Sequence, residues 1–284
     1  MLLDIKRIEG FGGRAVFERA IFKAPFRYRG NLLEENRACF FYMVDGQYRS
    51  YSGSNKVTLQ TRDGVVKQCG PYISEFLDVA GSDTCEAIAV YLYEDVLQEI
   101  YDETPTLFQD NNANNLMRKI ASNDLVNEYI QSILFYFENP IIVDEQLVTL
   151  KLKELIILLL KTDKYPSVVA LMTDLFRPQK TSLKHVVEHH LFEDVTVADL
   201  AHLNNMSLST FKREFKKVYA ESPAKYIKQQ KLEKAAKLLS ISDYPITSIA
   251  FECGFNNSAY FSTVFQRHYG KSPKEYRLDQ SQNT

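Results

Sequence analysis

The chain has 284 residues, 45% of them hydrophobic and 25% charged, which is room for two ordinary domains and too apolar for a disordered protein. The formal net charge of −2 is unevenly divided: from Lys180 onward 15 Lys and Arg stand against 11 Asp and Glu, and up to Gln179 the count is 19 against 25. Charges interrupt the N-terminus where a signal peptide needs an apolar core, and no uncharged apolar run approaches the roughly 18 residues of a membrane span. The chain is therefore read as cytoplasmic, with no membrane partner.

The first segment, up to about Asp102, reads as β. The stretch from Phe40 to Val44 runs into Asp45-Gly46 and then into Gln47 to Tyr51. Lys56 to Gln60 leads through Arg62-Asp63-Gly64 into Val65-Val66-Lys67. Asp-Gly suits a tight hairpin because glycine accepts a positive φ. The apolar strand from Ala87 to Tyr93 closes the segment. Short strands separated by turn signals suggest a sandwich or small barrel.

Helices follow. Leu116, Ile120, Val126, Ile130, Ile133 and Phe137 recur at helical spacing until Asn139-Pro140 breaks the pattern. Asp144 is the expected N-cap of a helix over 145–161. That helix is apolar nearly all round, which places it either in the core or between two subunits. A shorter helix over about 167–176 ends at Arg177-Pro178-Gln179-Lys180, the expected linker.

The remainder contains an internal repeat. Val197-Ala198-Asp199-Leu200-Ala201 is matched by Ile246-Thr247-Ser248-Ile249-Ala250 at an offset of 49 residues. Phe211, Phe215, Tyr219, Ser222, Pro223 and Tyr226 are matched by Phe261, Phe265, Tyr269, Ser272, Pro273 and Tyr276 at an offset of 50. Each copy reads as a short helix, a turn at Asn204-Asn205 or Cys253-Gly254, and a second helix with an aromatic stripe. Each then stops at Ser-Pro, where proline opens the next helix. This is a helix-turn-helix, whose second helix fits the major groove of double-stranded DNA. The first such helix offers Ser209, Lys212, Arg213, Lys216 and Lys217 off its apolar stripe. The second offers Ser258, Ser262, Thr263, Gln266 and Arg267. Within 212–237 nine basic residues face three acidic ones, an electrostatic footprint for phosphate.

Residues from about Val187 to Tyr276 resemble the DNA-binding domain of the AraC/XylS family of bacterial regulators. The strongest match is Ile249-Ala250, Gly254-Phe255, Tyr260-Phe261, Phe265, Tyr269-Gly270, Ser272-Pro273 and Tyr276 at their observed spacing. The resemblance implies seven helices, with a long central helix from Pro223 to about Leu239 joining the two units. Carried over by position, Ser209, Lys212 and Arg213 would read bases in the first unit, and Ser258, Ala259, Ser262 and Thr263 in the second. Members often have arginine at the place of Thr263 and usually at that of Lys231. The family plan implies an α+β chain. It comprises a cupin-like β-barrel serving as sensor or partner domain over 1–110 and a helical linker and dimerisation region over 111–178. An all-α DNA-binding domain follows over 179–278, with helix-turn-helix units at about 197–219 and 246–269. The expected protein is a transcription regulator, an activator, and a homodimer through 145–161. It would be controlled by a small-molecule or protein effector and would meet RNA polymerase as well as DNA. Residues 150–162 also resemble the linker helix of members controlled by a protein partner.

The competing class is an enzyme fused to a DNA-binding domain. A metal cupin needs histidines in its barrel, but His185, His189, His190, His202 and His268 all lie in the last third. The first three share a helix and read as solvated or capping. A cysteine alkyl acceptor needs a four-cysteine zinc site. Cys39, Cys69 and Cys85 are too few and too scattered, and with Cys253 they read as buried free thiols. No GxSxG elbow, P-loop or Rossmann fingerprint occurs. No enzyme activity, cofactor or metal is expected. Phe40, Phe41, Tyr42, Tyr48, Tyr51, Tyr72, Phe76, Tyr91 and Tyr93 read mostly as core, with an effector pocket as their other use.

Overall fold

The structure, a computed structural model, describes residues 1–32, 37–68, 70–78, 83–101, 117–162, 168–176 and 182–282. Leu116, Cys69, the helix start at 167, the linker 177–180 and the expected boundaries near 110 and 178 lie outside the described residues. The chain divides into two units, Met1–Lys180 and Thr181–Thr284.

In the first unit ten antiparallel strands among the described residues form two sheets. They are β1 (Leu2–Gly10), β2 (Arg14–Lys23), β3 (Phe26–Asn31), β4 (Arg37–Asp45), β5 (Gln47–Ser52), β6 (Asn55–Leu59), β7 (Gly64–Lys67), β8 (Pro71–Leu77), β9 (Thr84–Tyr93) and β10 (Met117–Ile120). The larger sheet has the order β1-β2-β9-β4-β7-β10 and the smaller β3-β8-β5-β6. Each keeps its own edges, so the cupin-like barrel takes the form of two facing sheets and not a closed ring. Phe22 on Phe76 and Phe41 on Tyr48, with ring centroids 3.8 and 4.5 Å apart, join the facing sides.

Helices α2 (Asp124–Glu138), α3 (Glu145–Thr162) and α4 (Val168–Phe176) pack in the same core as these sheets. Asn123 caps α2, and Asn127 on its first turn accepts a 2.6 Å bond from the Tyr42 hydroxyl on β4. The central strands β4 and β9 thus lie between two layers. Burial on both faces explains their almost unbroken apolar sequences. Asp144 caps α3 as expected, accepting from the Leu147 amide at 2.8 Å. Val148, Leu152, Leu155, Ile156 and Leu159 form its buried stripe, while Leu150 is 62% exposed and Ile157 48%. Helix α3 is therefore core on one side and open on the other.

Several local expectations fail. Asp45-Gly46 does not close a hairpin: Asp45 pairs with Glu86 in the larger sheet, whereas Gln47 pairs with Leu77 in the smaller. Gly46 has φ +105°, and a Cβ there would stand 2.6 Å from Cys85 Sγ, so glycine is required by a crowded corner between sheets. Asp63-Gly64 is a second corner, where β6 leaves the smaller sheet and β7 joins the larger beside β4. A tight hairpin forms instead at β5–β6, where Ser52 pairs with Asn55 around Gly53-Ser54. Ile120 belongs to strand β10 and not to a helix, because residues 117–120 take up the free edge of β7. Strand β9 ends at Tyr93, where the apolar run ends, and helix α1 (Glu94–Tyr101) follows, burying Val96 and Leu97.

The second unit is all helical among the described residues: α5 (Leu183–His190), α6 (Val197–Leu203), α7 (Leu208–Tyr219), α8 (Pro223–Ile241), α9 (Ile246–Glu252), α10 (Ser258–Tyr269) and α11 (Pro273–Gln282). These are the seven helices the resemblance implies, with Pro223 and Pro273 each opening a helix.

Candidate nucleic-acid interface

The two repeats are built alike. In the first, Thr196 and Asp199 form a reciprocal capping box at the start of α6. Asn205, with φ +52°, makes the turn, and the Ser207 side chain caps α7 by accepting from the Thr210 amide. Phe211 and Phe215 are fully buried and stack in series with Tyr219 and with Tyr226 of α8. In the second, Gly254 makes the turn at φ +76° and Asn257 caps α10. Phe261, Phe265, Tyr269 and Tyr276 repeat the stack. Both second helices end on a left-handed residue, Ala220 or Gly270.

This apolar anchoring leaves the opposite side of each helix free. Ser209, Lys212, Arg213, Lys216 and Lys217 are all exposed and fall at i, i+3, i+4, i+7 and i+8, a single stripe along α7. On α10, Ala259, Thr263, Gln266 and Arg267 are exposed, and Ser258 and Ser262 are half-buried beside them. The Ser262 hydroxyl donates to the Ser258 carbonyl at 2.9 Å and that of Thr263 to the Ala259 carbonyl at 3.0 Å. Their protons are thus spent within the helix, and the oxygens remain as acceptors. The α7 face is cationic and donor-rich; the α10 face is neutral and small.

A residue absent from the sequence reading modifies the first face. Glu214 accepts from Lys217 Nζ at 2.9 and 3.0 Å and from Arg213 Nε at 3.2 Å. Lys217 first, then Arg213, hold its carboxyl below the usual carboxylate range. The signal was its position between two cations, one and three residues away.

Lys231 of α8 ties the repeats together. Its ammonium donates to the Gly254 carbonyl at 2.7 Å and the Glu193 carbonyl at 3.4 Å, and burial lowers its pKa. A Cβ on Gly254 would lie 2.5 Å from the Phe192 carbonyl oxygen, so the turn is closed to any side chain. Thr196, Lys228, Asn257 and Tyr260 line a groove of about 870 Å³ that runs from the start of α6 to the start of α10.

The histidines make no cluster. His189 Nδ1 lies 2.9 Å from the His185 carbonyl, and His190 is buried in the core, not solvated as expected. No group of three or more His, Cys, Asp or Glu among the described residues is placed to hold a metal. Cys39, Cys85 and Cys253 are buried and free, with burial pushing Cys39 and Cys253 up to about 11. No helix among the described residues is long and apolar enough to cross a membrane.

Comparison with known proteins adds two family matches: residues 200–279 to a helix-turn-helix domain, and residues 38–171 to the ExsA N-terminal regulatory domain. The two matches support membership of the AraC/XylS family. Among family relatives, the HTH-type transcriptional activator RhaS of Escherichia fergusonii is 40% identical over 98 residues, which are 34% of this chain and 35% of that protein. The chain thus spans about a third of the length of the curated relatives it matches. It is similar also to two solved structures. One is the DNA-binding domain of AdpA in complex with a target DNA, at 32% identity, covering 34% of this chain and 87% of that one, with a TM-score of 0.33. The other is ToxT K231A of Vibrio cholerae strain SCE256, at 15% identity, 95% and 99% coverage and a TM-score of 0.39.

Proposed function

We propose that this protein is a sequence-specific regulator of transcription that grips double-stranded DNA with α7 and α10. The observation that carries the reading is the pair of equally anchored helices, each with its polar side turned away from an aromatic stack. An α-helix fits the roughly 12 Å major groove. On α7, Arg213 is suited to bridge guanine O6 and N7, with Ser209 and Lys212 beside it, while Lys216 and Lys217 meet phosphates. On α10, Ser258, Ala259, Ser262 and Thr263 offer methyl contacts and acceptors, with Gln266 and Arg267 toward the backbone. The helix-turn-helix units run over about 197–219 and 246–269, within a DNA-binding domain of 179–278.

Residues 1–110 serve as the sensor or partner domain and 111–178 as linker and dimerisation region. The match to a regulatory domain over 38–171 supports control through this half by a small molecule or a protein. Leu150 and Ile157, one heptad apart on the open side of α3, support a homodimer through 145–161. The activator names of the relatives support activation, which brings RNA polymerase in as a further partner.

The test is selection of bound duplexes from a randomised pool with the full chain. A recovered motif with two separated conserved segments supports the reading. Binding that depends on duplex length and not on sequence overturns it.

A further inference from the structure

The two repeats of the second unit have separate apolar cores. The second draws its buried side chains from α8, α9, α10 and the turn between the last two, Leu232, Phe255 and Phe265 among them. The first is built on Phe211 and Phe215 of α7, and Tyr226, near the start of α8, packs edge-on against Phe215. Helix α8 is thus a rod of 19 residues with one repeat at each end. Long helices curve, so a rod alone sets the angle between its ends only loosely.

A second connection bypasses the rod. The loop before α6, Phe192 to Asp194, lies against the turn from Glu252 to Asn256 that leads from α9 into α10. Asn256 Nδ2 donates to Asp194 Oδ1 at 2.8 Å. The Lys231 ammonium donates to a carbonyl on each segment, Glu193 and Gly254. Three residues along α8, Lys234 donates to the Glu252 carbonyl at 3.0 Å and stands over the Phe192 ring, 4.4 Å from its centroid. Each of these side chains therefore reaches from one repeat to the other. Burial works against the charge of Lys231, and the Asp194 carboxylate works for it. The placing of the first bond matters most. Asp194 stands two residues before Thr196, the cap of α6, and Asn256 directly before Asn257, the cap of α10. The bond ties the entry of the first helix-turn-helix to the entry of the second DNA-facing helix.

We infer that these contacts form a clasp that holds α7 and α10 at one distance and angle, and so selects the number of base pairs between the two DNA segments the helices enter. Asp194 and Asn256 are positioning residues in this role. One base pair added between the segments moves the second by about 3.4 Å along the duplex and about 34° around it. Helices on a loose joint follow such a shift. A clasped pair does not, and keeps the advantage of two linked contacts at a single spacing. The spacing rule rests on the function proposed above, whereas the clasp rests on the contacts alone.

Two measurements on the full chain test them separately. The first uses duplexes recovered by selection, and the same duplexes with one base pair inserted or removed between the segments. The wild type is expected to lose about ten-fold or more in affinity at either altered spacing. Asn256→Asp sets two carboxylates against each other, and the penalty is expected to shrink to about three-fold or less. Combining Asp194→Asn with Asn256→Asp exchanges donor and acceptor and is expected to restore the full penalty. A wild type indifferent to spacing, or a penalty unchanged in both Asn256→Asp and Lys234→Met, overturns the spacing role. The second measurement uses no DNA. Spin labels on non-natural side chains replacing Val218 and His268, exposed and equivalent positions of α7 and α10, report the distance between the helices. A narrow distribution is expected for the wild type and a broader one for Asn256→Asp; equal widths overturn the clasp. Selection that recovers no two-segment motif overturns the spacing rule together with the DNA reading, and the label distances still decide the clasp.

Discussion

The ammonium of Lys231 donates to the carbonyl of Gly254 at 2.7 Å, so the helix between the two repeats is fastened to the turn of the second. The bond is half-buried and its partner is backbone, which no substitution at 254 can remove. Lys231→Met keeps the stem and deletes the donor, leaving the carbonyl short of a partner. We expect a loss of about 1–3 kcal/mol in urea unfolding of the helical unit. Gly254→Ala adds both a strained left-handed residue and a collision with Phe192, and should cost more than Lys231→Met.

On the interface proposed above, Glu214 would compete with DNA for the cations of its own helix. Glu214→Gln should raise operator affinity about two- to five-fold at low salt, the scale of an exposed ion pair. The advantage should shrink as salt rises, because the interaction removed is screened. Titrations at several salt concentrations read this directly, and an affinity lowered by the change would place Arg213 and Lys217 away from DNA.

The two repeats should contribute unequally to specificity. Arg213→Ala is expected to cost about 1–3 kcal/mol and to relax preference at one base pair. Thr263→Ala should cost less, since its hydroxyl proton already serves the Ala259 carbonyl and a single neutral acceptor remains. Binding-site selection with each variant ranks them. Greater relaxation from Thr263→Ala would reverse the assignment.

The open side of α3 gives a sharp contrast between adjacent layers of one helix. Leu150→Glu, at an exposed position, should yield a folded protein that sediments as a monomer and binds paired sites weakly. Leu152→Glu, two residues on and buried, should unfold the first unit. A wild-type chain that sediments as a monomer at micromolar concentration, alone and on paired-site DNA, removes the dimer.

Asp63 predicts a pH response. Its carboxyl is raised by partial burial, but bonds from Lys119 and from the Gln60 and Ser122 amides outweigh this and bring it below its ordinary 3.8. A depressed folded-state pKa adds stability that is complete above the unfolded value and lost as pH falls through the folded one. Below about pH 4 the wild type should therefore lose stability more steeply than Asp63→Asn. Parallel denaturant curves would return equal slopes if the bonds carry no weight.

The second unit was legible because its signals are local and doubled. A cap, a turn residue, an aromatic at every fourth position and Ser-Pro recur at a fixed offset, and each dictates structure within a few residues of itself. The first unit was less so. Asp45-Gly46 announces a turn truthfully, but which strand Gln47 then pairs with is decided by β8, about thirty residues distant. Met117–Ile120 shows helical spacing and becomes a strand because β7 has an edge to fill. Glu214 and Asp194 escaped notice for a related reason. A charge reads as solvated until the fold shows what surrounds it.

Strand β4 has one further consequence. Phe41 touches Tyr48 and the Lys67 ammonium between the sheets, while Tyr42, the next residue, reaches the opposite way to Asn127 of α2. The larger sheet is thus a partition one peptide thick, with the smaller sheet on one side and the helical layer on the other. Phe41 and Tyr42 share the peptide that joins them, so a backbone shift at one position is felt first at the other.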